Sequence, residues 1–443
     1  MVSASNFISG DKNFILSSVD AFLPKFAVIP LCEDDSDFLE VLVSEGSVVK
    51  EGDVIAKTRG LYIHSSVPGL VKKIEQRQYS NGKQGLCAII SLGGAFSFLG
   101  KRMYPQAWHD YEASTMRFLL KEAGIVNTFS KSQSIYTQMA EIHKTKSDTV
   151  VLRLFDSDPS YITESFIAKN YISSVLEGAA ILSKAFDAKN LFIAYSVNEK
   201  NSLKSEIDAF LNENSKVIFP ENLEVFTIGI DLKKYPAGTM HDLSTFIKKN
   251  FKDERFSNIG RKDLFVDSTT ALNAYNAIIF KKPVLTTFIH VTGECLNSAA
   301  ILNVRIGTSL RDIVEQCGGF KRKVAKIIVN GIIQGKSLSS LDIPVSCSIK
   351  SVEFVPKKRA KLQITEKCIR CGNCRKICPV YLWPGNLYRL AHLESLENAS
   401  ESDKIAYKSA ILCTECGLCN SVCPSRIPLS QTISILKDSY NEE

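Results

Sequence analysis

Eight of the thirteen cysteines lie between residues 368 and 423, in two copies of one spacing. The first copy is CIRCGNCRKICP, at 368–379, and the second is CTECGLCNSVCP, at 413–424. Both copies follow C-x2-C-x2-C-x3-C-P, a spacing with which thiolates bind [4Fe–4S] clusters. The repeat therefore predicts a pair of iron–sulfur clusters that carry electrons and perform no bond chemistry of their own.

The spacing also indicates how the ligands are shared. Three close thiolates wrap one face of a cluster on a tight loop, and Gly372 and Gly417 permit its curvature. The fourth cysteine begins a segment that leads away, so it reaches the other cluster. We assign Cys368, Cys371, Cys374 and Cys423 to one [4Fe–4S] cluster, and Cys413, Cys416, Cys419 and Cys378 to the other.

The alternative interpretation of these cysteines is a pair of structural zinc sites. Zinc sites usually pair two C-x2-C units, and they have no use for a third close cysteine or for a proline after the fourth. The spacing therefore favours two cubane clusters. We nominate no catalytic side chain, because the six histidines form no metal-spaced set and no nucleophile elbow, Walker loop or zinc-protease helix occurs.

Composition excludes several classes of protein. The net charge of +7 is mild for 443 residues, and the basic residues lack the aromatic interleaving of a nucleic-acid surface. No run of 18 or more apolar residues is present, and no signal peptide is recognisable. We therefore expect a soluble, cytosolic chain that reaches a membrane through partners. The five isolated cysteines are expected to be small buried hydrophobes: Cys32, Cys87, Cys295, Cys317 and Cys347.

The N-terminal part alternates short β-rich runs with glycine turns. Residues 39–75 resemble a barrel-sandwich hybrid, the fold of lipoyl and biotinyl domains, but the hairpin near IHSSVPG offers no lysine to modify. We therefore predict a structural module in which His64 is packed or solvated. The glycines of LGGAFS, at 92–97, are interpreted as a turn that closes the barrel and not as a phosphate loop.

Helical and strand-like runs alternate in the middle of the chain, as a layered α/β sheet requires. The segment between the two cysteine copies has the apolar spacing of helices, which favours an α-helical ferredoxin domain. The predicted domains are a barrel-sandwich hybrid at 1–100, an α/β domain at 101–280, a small β-grasp segment at 281–360 and a dicluster domain at 361–443.

This order of parts resembles RnfC, the peripheral subunit of the Rnf electron-transport complex. Further phrases carry the resemblance over nearly the whole chain: LLKEAGIV at 119–126, VLEGAAILSKAFDAKNLFIAYSVNEK at 175–200, KKYPAG at 233–238, and VTGECL, RIGTSLRDIVEQCGG and VNGIIQG between 291 and 335. The resemblance implies an α/β domain like that of the complex I flavoprotein subunit, an SLBB-type β-grasp, and FMN and NADH binding. It also implies membrane-embedded ion-pumping partners, ferredoxin or NAD(H) as redox partner, and a peripheral location at the cytoplasmic side of the inner membrane.

The chain departs from the family pattern at the nucleotide loop. The family has a glycine-rich loop directly after the phrase that ends at Val126, whereas this chain continues NTFSKSQSIYTQM, without a glycine between 125 and 176. Three further nucleotide-site phrases are altered, at DSDPSYIT (156–163), Thr239–Met240 and DSTTAL (267–272). Besides an Rnf-type electron-transfer subunit, two alternatives therefore stay open: a soluble RnfC-like cobalamin or flavin reductase, and a nucleotide-free iron–sulfur wire or scaffold.

Overall fold

The computed structural model describes residues 2–3, 17–32, 38–144, 147–198, 203–360, 364–393 and 400–441. The strands are β1 (Val2–Ser3), β2 (Ser18–Asp20), β3 (Phe26–Pro30), β4 (Leu39–Val41), β5 (Val48–Val49), β6 (Val54–Thr58), β7 (Tyr62–His64), β8 (Gly69–Gln78), β9 (Gln84–Leu92), β10 (Val126–Asn127), β11 (Gln133–Ser134), β12 (Thr149–Arg153), β13 (Asn190–Ser196), β14 (Glu224–Ile230), β15 (Lys234–Tyr235), β16 (Leu264–Asp267), β17 (Thr286–Thr292), β18 (Ala300–Arg305), β19 (Val324–Val329), β20 (Lys336–Leu338) and β21 (Ser351–Pro356). The helices are α1 (Ala113–Glu122), α2 (Ile135–His143), α3 (Thr163–Asn170), α4 (Ile172–Ala185), α5 (Lys204–Ile218), α6 (Met240–Asn250), α7 (Ser268–Phe280), α8 (Leu310–Gln316), α9 (Asn373–Ile377), α10 (Pro384–Ala391), α11 (Glu401–Lys408), α12 (Leu418–Ser421) and α13 (Leu429–Asn441). Within these residues, 3-10 turns also lie at Glu254–Phe256 and Ser409–Leu412.

Two antiparallel sheets form the N-terminal module, in the strand orders β3-β9-β8-β5 and β4-β6-β7. Their inward side chains, such as Ile29, Ile55 and Ile90, form one buried core. Gly93 and Gly94 follow β9 directly, and Gly94 has a positive φ of 107°. LGGAFS is therefore a turn after the last strand of this module, as predicted. His64 is packed, and burial lowers its pKa to about 4.

The α/β layer consists of four parallel strands in the order β14-β13-β12-β16. Alternate residues of β12 enter two different cores: Val150 and Leu152 pack with one set of helices, and Val151 packs with the set that includes α6. Both faces are covered, which is why these strands are almost continuously apolar. The chain moves outward from β12 to β13 and β14, and then returns to place β16 on the other side of β12.

A six-stranded mixed sheet, β2-β18-β17-β21-β19-β20, forms the next part, with α8 packed against its core. Strand β2 comes from the N-terminal end of the chain and pairs in parallel with β18, so that Ser18 lies opposite Ile301. The barrel sheets accordingly begin at Phe26 and not at the first residue.

The C-terminal part is helical around both cysteine copies, from α9 to α13. Leu387 of α10 and Ile433 of α13 meet in its small core, together with Ala410. The helices predicted between the two copies are present as α10 and α11, while residues 394–399 of that segment lie outside the described residues.

Candidate iron–sulfur site and the altered nucleotide site

The first cysteine copy lies on an open loop that leads into α9. Cys368 and Cys371 are exposed, and Cys374 is half-buried in the helix. Gly372 begins the helix with a φ of 77°, and a Cβ added there would meet no atom within 4 Å. This loop therefore turns sharply in open space, in agreement with the conformational role expected of the glycine.

The second copy lies in a packed environment. Cys416 and Cys419 are buried, at 7% and 8% exposure. Gly417 also has a positive φ, of 71°, but a Cβ there would lie 2.6 Å from the carbonyl oxygen of Ile333 in the six-stranded-sheet part. The second loop therefore needs glycine for two reasons, its backbone conformation and its close approach to another part of the chain.

Cysteines from the two copies come together in the fold. One cavity is lined by Cys378 of the first copy and by Cys413, Cys416 and Cys419 of the second. Cys374 and Cys423 both pack against a small core of Cys419, Ile427 and Leu429. Each copy therefore contributes a cysteine to the neighbourhood of the other.

Burial shapes the acid–base chemistry of these thiols. It raises the pKa of Cys413 to about 11, and it raises the pKa values of Cys374, Cys416 and Cys419 above their ordinary value. Neighbouring cysteines reinforce the effect, because two thiolates close together repel each other. Metal binding at these sulfurs must therefore displace protons.

The sulfurs are not gathered around a single point. Within the described residues, no three His, Cys, Asp or Glu side chains converge closely enough for one metal ion. A cubane has a different requirement, because each of its four thiolates binds a different iron atom and the sulfurs stay apart. The donor set is soft and all-thiolate, which fits iron–sulfur clusters.

Two residues from other parts of the chain hold the second copy, and the sequence did not reveal them. The hydroxyl of Tyr235 donates to the carbonyl of Cys416 at 2.8 Å. Gln334 Nε2 donates to the Tyr235 oxygen at 3.1 Å. Tyr235 stands in the phrase KKYPAG, whose likeness to the family pattern was the only signal that could have pointed to it.

The loop expected to cradle a nucleotide phosphate is filled with side chains. Asn127 and Thr128 are buried, and Asn127 Nδ2 donates to the carbonyl of Phe265 at 2.8 Å. Phe129 is buried as well and packs with the phenylalanines of the sheet. These side chains occupy the place where a flavin phosphate would need bare backbone, so the residues present do not fit FMN here.

Residues of two other altered phrases, Asp158 and Thr239, form hydrogen bonds that stabilise the fold. Asp158 accepts the backbone N–H groups of Ile333 and Gln334, at 2.9 and 3.0 Å, and so holds the loop that touches the second cysteine copy. Thr239 caps α6 in a reciprocal capping box with Asp242. These polar atoms are engaged within the chain, so they serve the fold.

The fate of the isolated cysteines follows the prediction in four of five cases. Cys87, Cys295, Cys317 and Cys347 are buried, whereas Cys32 is half-buried.

Within the described residues, no helix has the length and apolar character needed to cross a membrane.

These features define a class of protein: a layered chain whose C-terminal helical part brings together cysteines from two copies of an iron–sulfur spacing. Family models match three segments. They are described as "RnfC Barrel sandwich hybrid domain" over residues 17–94, "SLBB domain" over 288–336 and "4Fe-4S dicluster domain" over 364–427. The matches confirm the resemblance to RnfC, the barrel-sandwich, SLBB and ferredoxin-type folds, and an iron–sulfur dicluster domain.

Several proteins are similar over most of their length, and each is one subunit of a redox complex. The relative from the Na(+)-translocating ferredoxin:NAD(+) oxidoreductase complex of Acetobacterium woodii is 23% identical, over 82% of this chain and 81% of that protein. The relative from the proton-translocating ferredoxin:NAD(+) oxidoreductase complex of Clostridium ljungdahlii is 24% identical, over 86% and 81%. The relative from the ion-translocating oxidoreductase complex of Methanosarcina acetivorans is 25% identical, over 86% and 85%.

Among solved structures, a NAD+-reducing [NiFe]-hydrogenase chain in the H2-reduced state is similar with a TM-score of 0.49 and 13% identity. The match covers 74% of this chain and 61% of the hydrogenase chain. The air-oxidised form gives a TM-score of 0.48, and 66% of that chain is covered.

Proposed function

We propose that this chain is the electron-transfer subunit of an Rnf-type, membrane-associated ion-translocating complex. The observation that carries the proposal is the meeting of Cys378 with Cys413, Cys416 and Cys419 in one cavity, which supports two adjacent clusters. The similarity to subunits of ion-translocating ferredoxin:NAD(+) oxidoreductase complexes, over most of the chain, supports the proposal that this chain is part of such a complex. Two bound [4Fe–4S] clusters supply one-electron transfer between a soluble partner and the membrane part of the complex.

The chain's own residues hold and orient that site. The crossed ligand sets tie the two copies to each other, while Tyr235 and Gln334 tie the second copy to the rest of the chain. We propose the four domains at 1–100, 101–280, 281–360 and 361–443, with the last as the dicluster domain. We further propose docking on membrane-embedded subunits at the cytoplasmic side of the inner membrane, with ferredoxin or NAD(H) as the ultimate redox partner.

Anaerobic reconstitution tests the proposal. We expect about eight iron atoms per chain, a broad visible absorbance band and reversible bleaching by a reductant. Two zinc ions without iron would overturn it. Clusters that cannot be reduced and reoxidised at physiological potentials would favour the scaffold alternative, and NADH-driven corrin reduction without membrane partners would favour the soluble reductase.

Paired substitutions test the crossed assignment. Cys378→Ser with Cys416→Ser removes two ligands of one proposed cluster, so about four iron atoms should remain. Cys378→Ser with Cys371→Ser removes one ligand of each proposed cluster, so both clusters should be lost and little iron should remain. Cys347→Ser, at a buried cysteine that packs in the core of the barrel module, is the control and should keep the wild-type iron content. Equal iron contents in the two double variants would contradict the assignment.

A further inference from the structure

The carboxyl ends of β12 and β16 mark the point where the strand order of the parallel sheet reverses. Ligands of open α/β sheets bind at such points, where helix N-termini offer free N–H groups to anions. Helix α7 begins directly after β16, and α3 begins ten residues after β12. The partners of their first N–H groups therefore reveal what this crevice holds.

Carboxylates of the chain itself accept those N–H groups. In α7, the amide of Thr270 donates to Asp267 Oδ1 at 2.9 Å, and that of Thr269 donates to Glu164 Oε2 at 3.0 Å. In α3, the amides of Glu164 and Ser165 donate to the two oxygens of Asp156, at 2.8 and 3.1 Å. Three internal carboxylates thus take the positions that a bound phosphate would use.

A lysine from the six-stranded-sheet part supplies a positive charge to two of these carboxylates. Lys350, just before β21, pairs with Asp267 and, at 3.0 Å, with Glu164 Oε1. All three side chains are at least nine-tenths buried. Burial by itself would raise the pKa of Asp267, but Lys350 and Arg153 outweigh it and hold that pKa at about 2. Lys350 and Asp267 therefore form a charged buried pair, whereas burial and the neighbouring Asp267 raise the pKa of Glu164.

Arg153 and Phe129 close the remaining space. The terminal amino groups of Arg153 donate to the carbonyls of Gly238 and Phe129, at 2.6 and 3.2 Å. The guanidinium also lies over the Phe129 ring, 4.1 Å from its centre. The buried Nε of this guanidinium has no hydrogen-bond partner, and a single buried N–H does not make a phosphate site.

We infer that the α/β domain carries an internally occupied anion site, in which Asp156, Glu164 and Asp267 accept the helix N–H groups that a nucleotide phosphate would take, and Lys350 pairs with Glu164 and Asp267. The wild-type chain therefore takes neither FMN nor NADH into this crevice. The inference is independent of the proposed electron transfer, because it concerns only how this crevice is filled.

Anion rescue of a carboxylate variant tests the inference on the full chain. Asp267→Ala removes the carboxylate together with its volume and leaves Lys350 and the Thr128 and Thr270 hydroxyls facing the space that it filled. Formate has the charge and about the size of the lost carboxylate, so at millimolar concentration it should raise the melting temperature of this variant by roughly 2–4 °C more than it raises that of the wild type. The control is Asp187→Asn, which removes the carboxylate of the surface ion pair with Arg117, 3.0 Å long, and should respond to formate like the wild type.

Direct titration supplies the second arm. The anaerobically purified wild-type chain should show no saturable binding of FMN or NADH by fluorescence. Stoichiometric FMN or saturable NADH binding would overturn the inference, and so would equal formate responses of wild type and Asp267→Ala. Glu164→Ala is the substitute if the first variant does not fold, and the wild-type titration decides the matter if neither folds.

Discussion

The two cysteine copies share one spacing but lie in opposite environments. The first is on an exposed loop, with open space beside Gly372, whereas in the second Cys416 and Cys419 are buried and Gly417 lies against the backbone of Ile333. The spacing sets which ligands a cluster can have, and the surroundings set how easily solvent or a partner reaches it. We therefore expect the first cluster to be the accessible one and the second to be coupled to the body of the chain.

Single serine substitutions should give the largest contrast. Cys368→Ser and Cys416→Ser each remove one ligand, so each should lower the iron content from about eight to about four atoms per chain. Only Cys416→Ser disturbs a packed junction, so it should also lower the temperature at which the C-terminal part unfolds. Equal losses of thermal stability would break the comparison. Iron analysis and anaerobic thermal melts provide the two measurements.

Chelation should remove the two clusters at different rates. Because Cys368 and Cys371 are exposed, a chelator should take about four iron atoms in a fast phase and about four in a slow one. The decay of the visible band during incubation with chelator measures both phases. A single phase would show that the environments do not control access.

The two glycines offer a matched pair of backbone substitutions. Gly372→Ala should lower the free energy of unfolding by about 1 kcal/mol, because only the positive φ disfavours alanine there. Gly417→Ala adds a clash with the Ile333 carbonyl, so its total cost should be about 3 kcal/mol. Denaturant unfolding of the C-terminal part measures the difference, and similar costs would contradict the close approach.

The smallest expected effects are those of removing a tyrosine hydroxyl near each cysteine copy. Tyr235→Phe removes the donor to the Cys416 carbonyl, which should cost about 1 kcal/mol and shift the reduction potential of one cluster only. Tyr381→Phe, at a tyrosine that is 90% exposed near the first copy, should leave stability and both potentials unchanged. Redox titration followed by electron paramagnetic resonance distinguishes the two variants.

Much of the fold could be predicted because its signals are local. The alternation of apolar residues and glycine turns indicated the barrel module, and the alternation of helical and strand-like runs indicated the α/β layer. The pairing of β2 with β18 joins residues nearly three hundred positions apart in the numbering of the chain, from Ser18 to Ile301. No local pattern encodes such a pairing, because a short strand chooses its neighbour through the packing of whole sheets.

The sequence by itself determined the chemistry of the C-terminal part. Thiolate ligands for such clusters require cysteines at short, repeated intervals in the sequence, because one tight loop supplies three ligands. It also determined that the loop after Val126 has no bare backbone, because the chain there lacks glycine.

Only the tertiary structure decided the environments of the cysteines and of the buried carboxylates. It placed Cys378 beside the cysteines of the second copy, brought Tyr235 to Cys416, and set Lys350 between Glu164 and Asp267. These contacts join residues from different sheets and helices. Their energy depends on burial and on geometry between distant segments, which residue types and spacing do not contain.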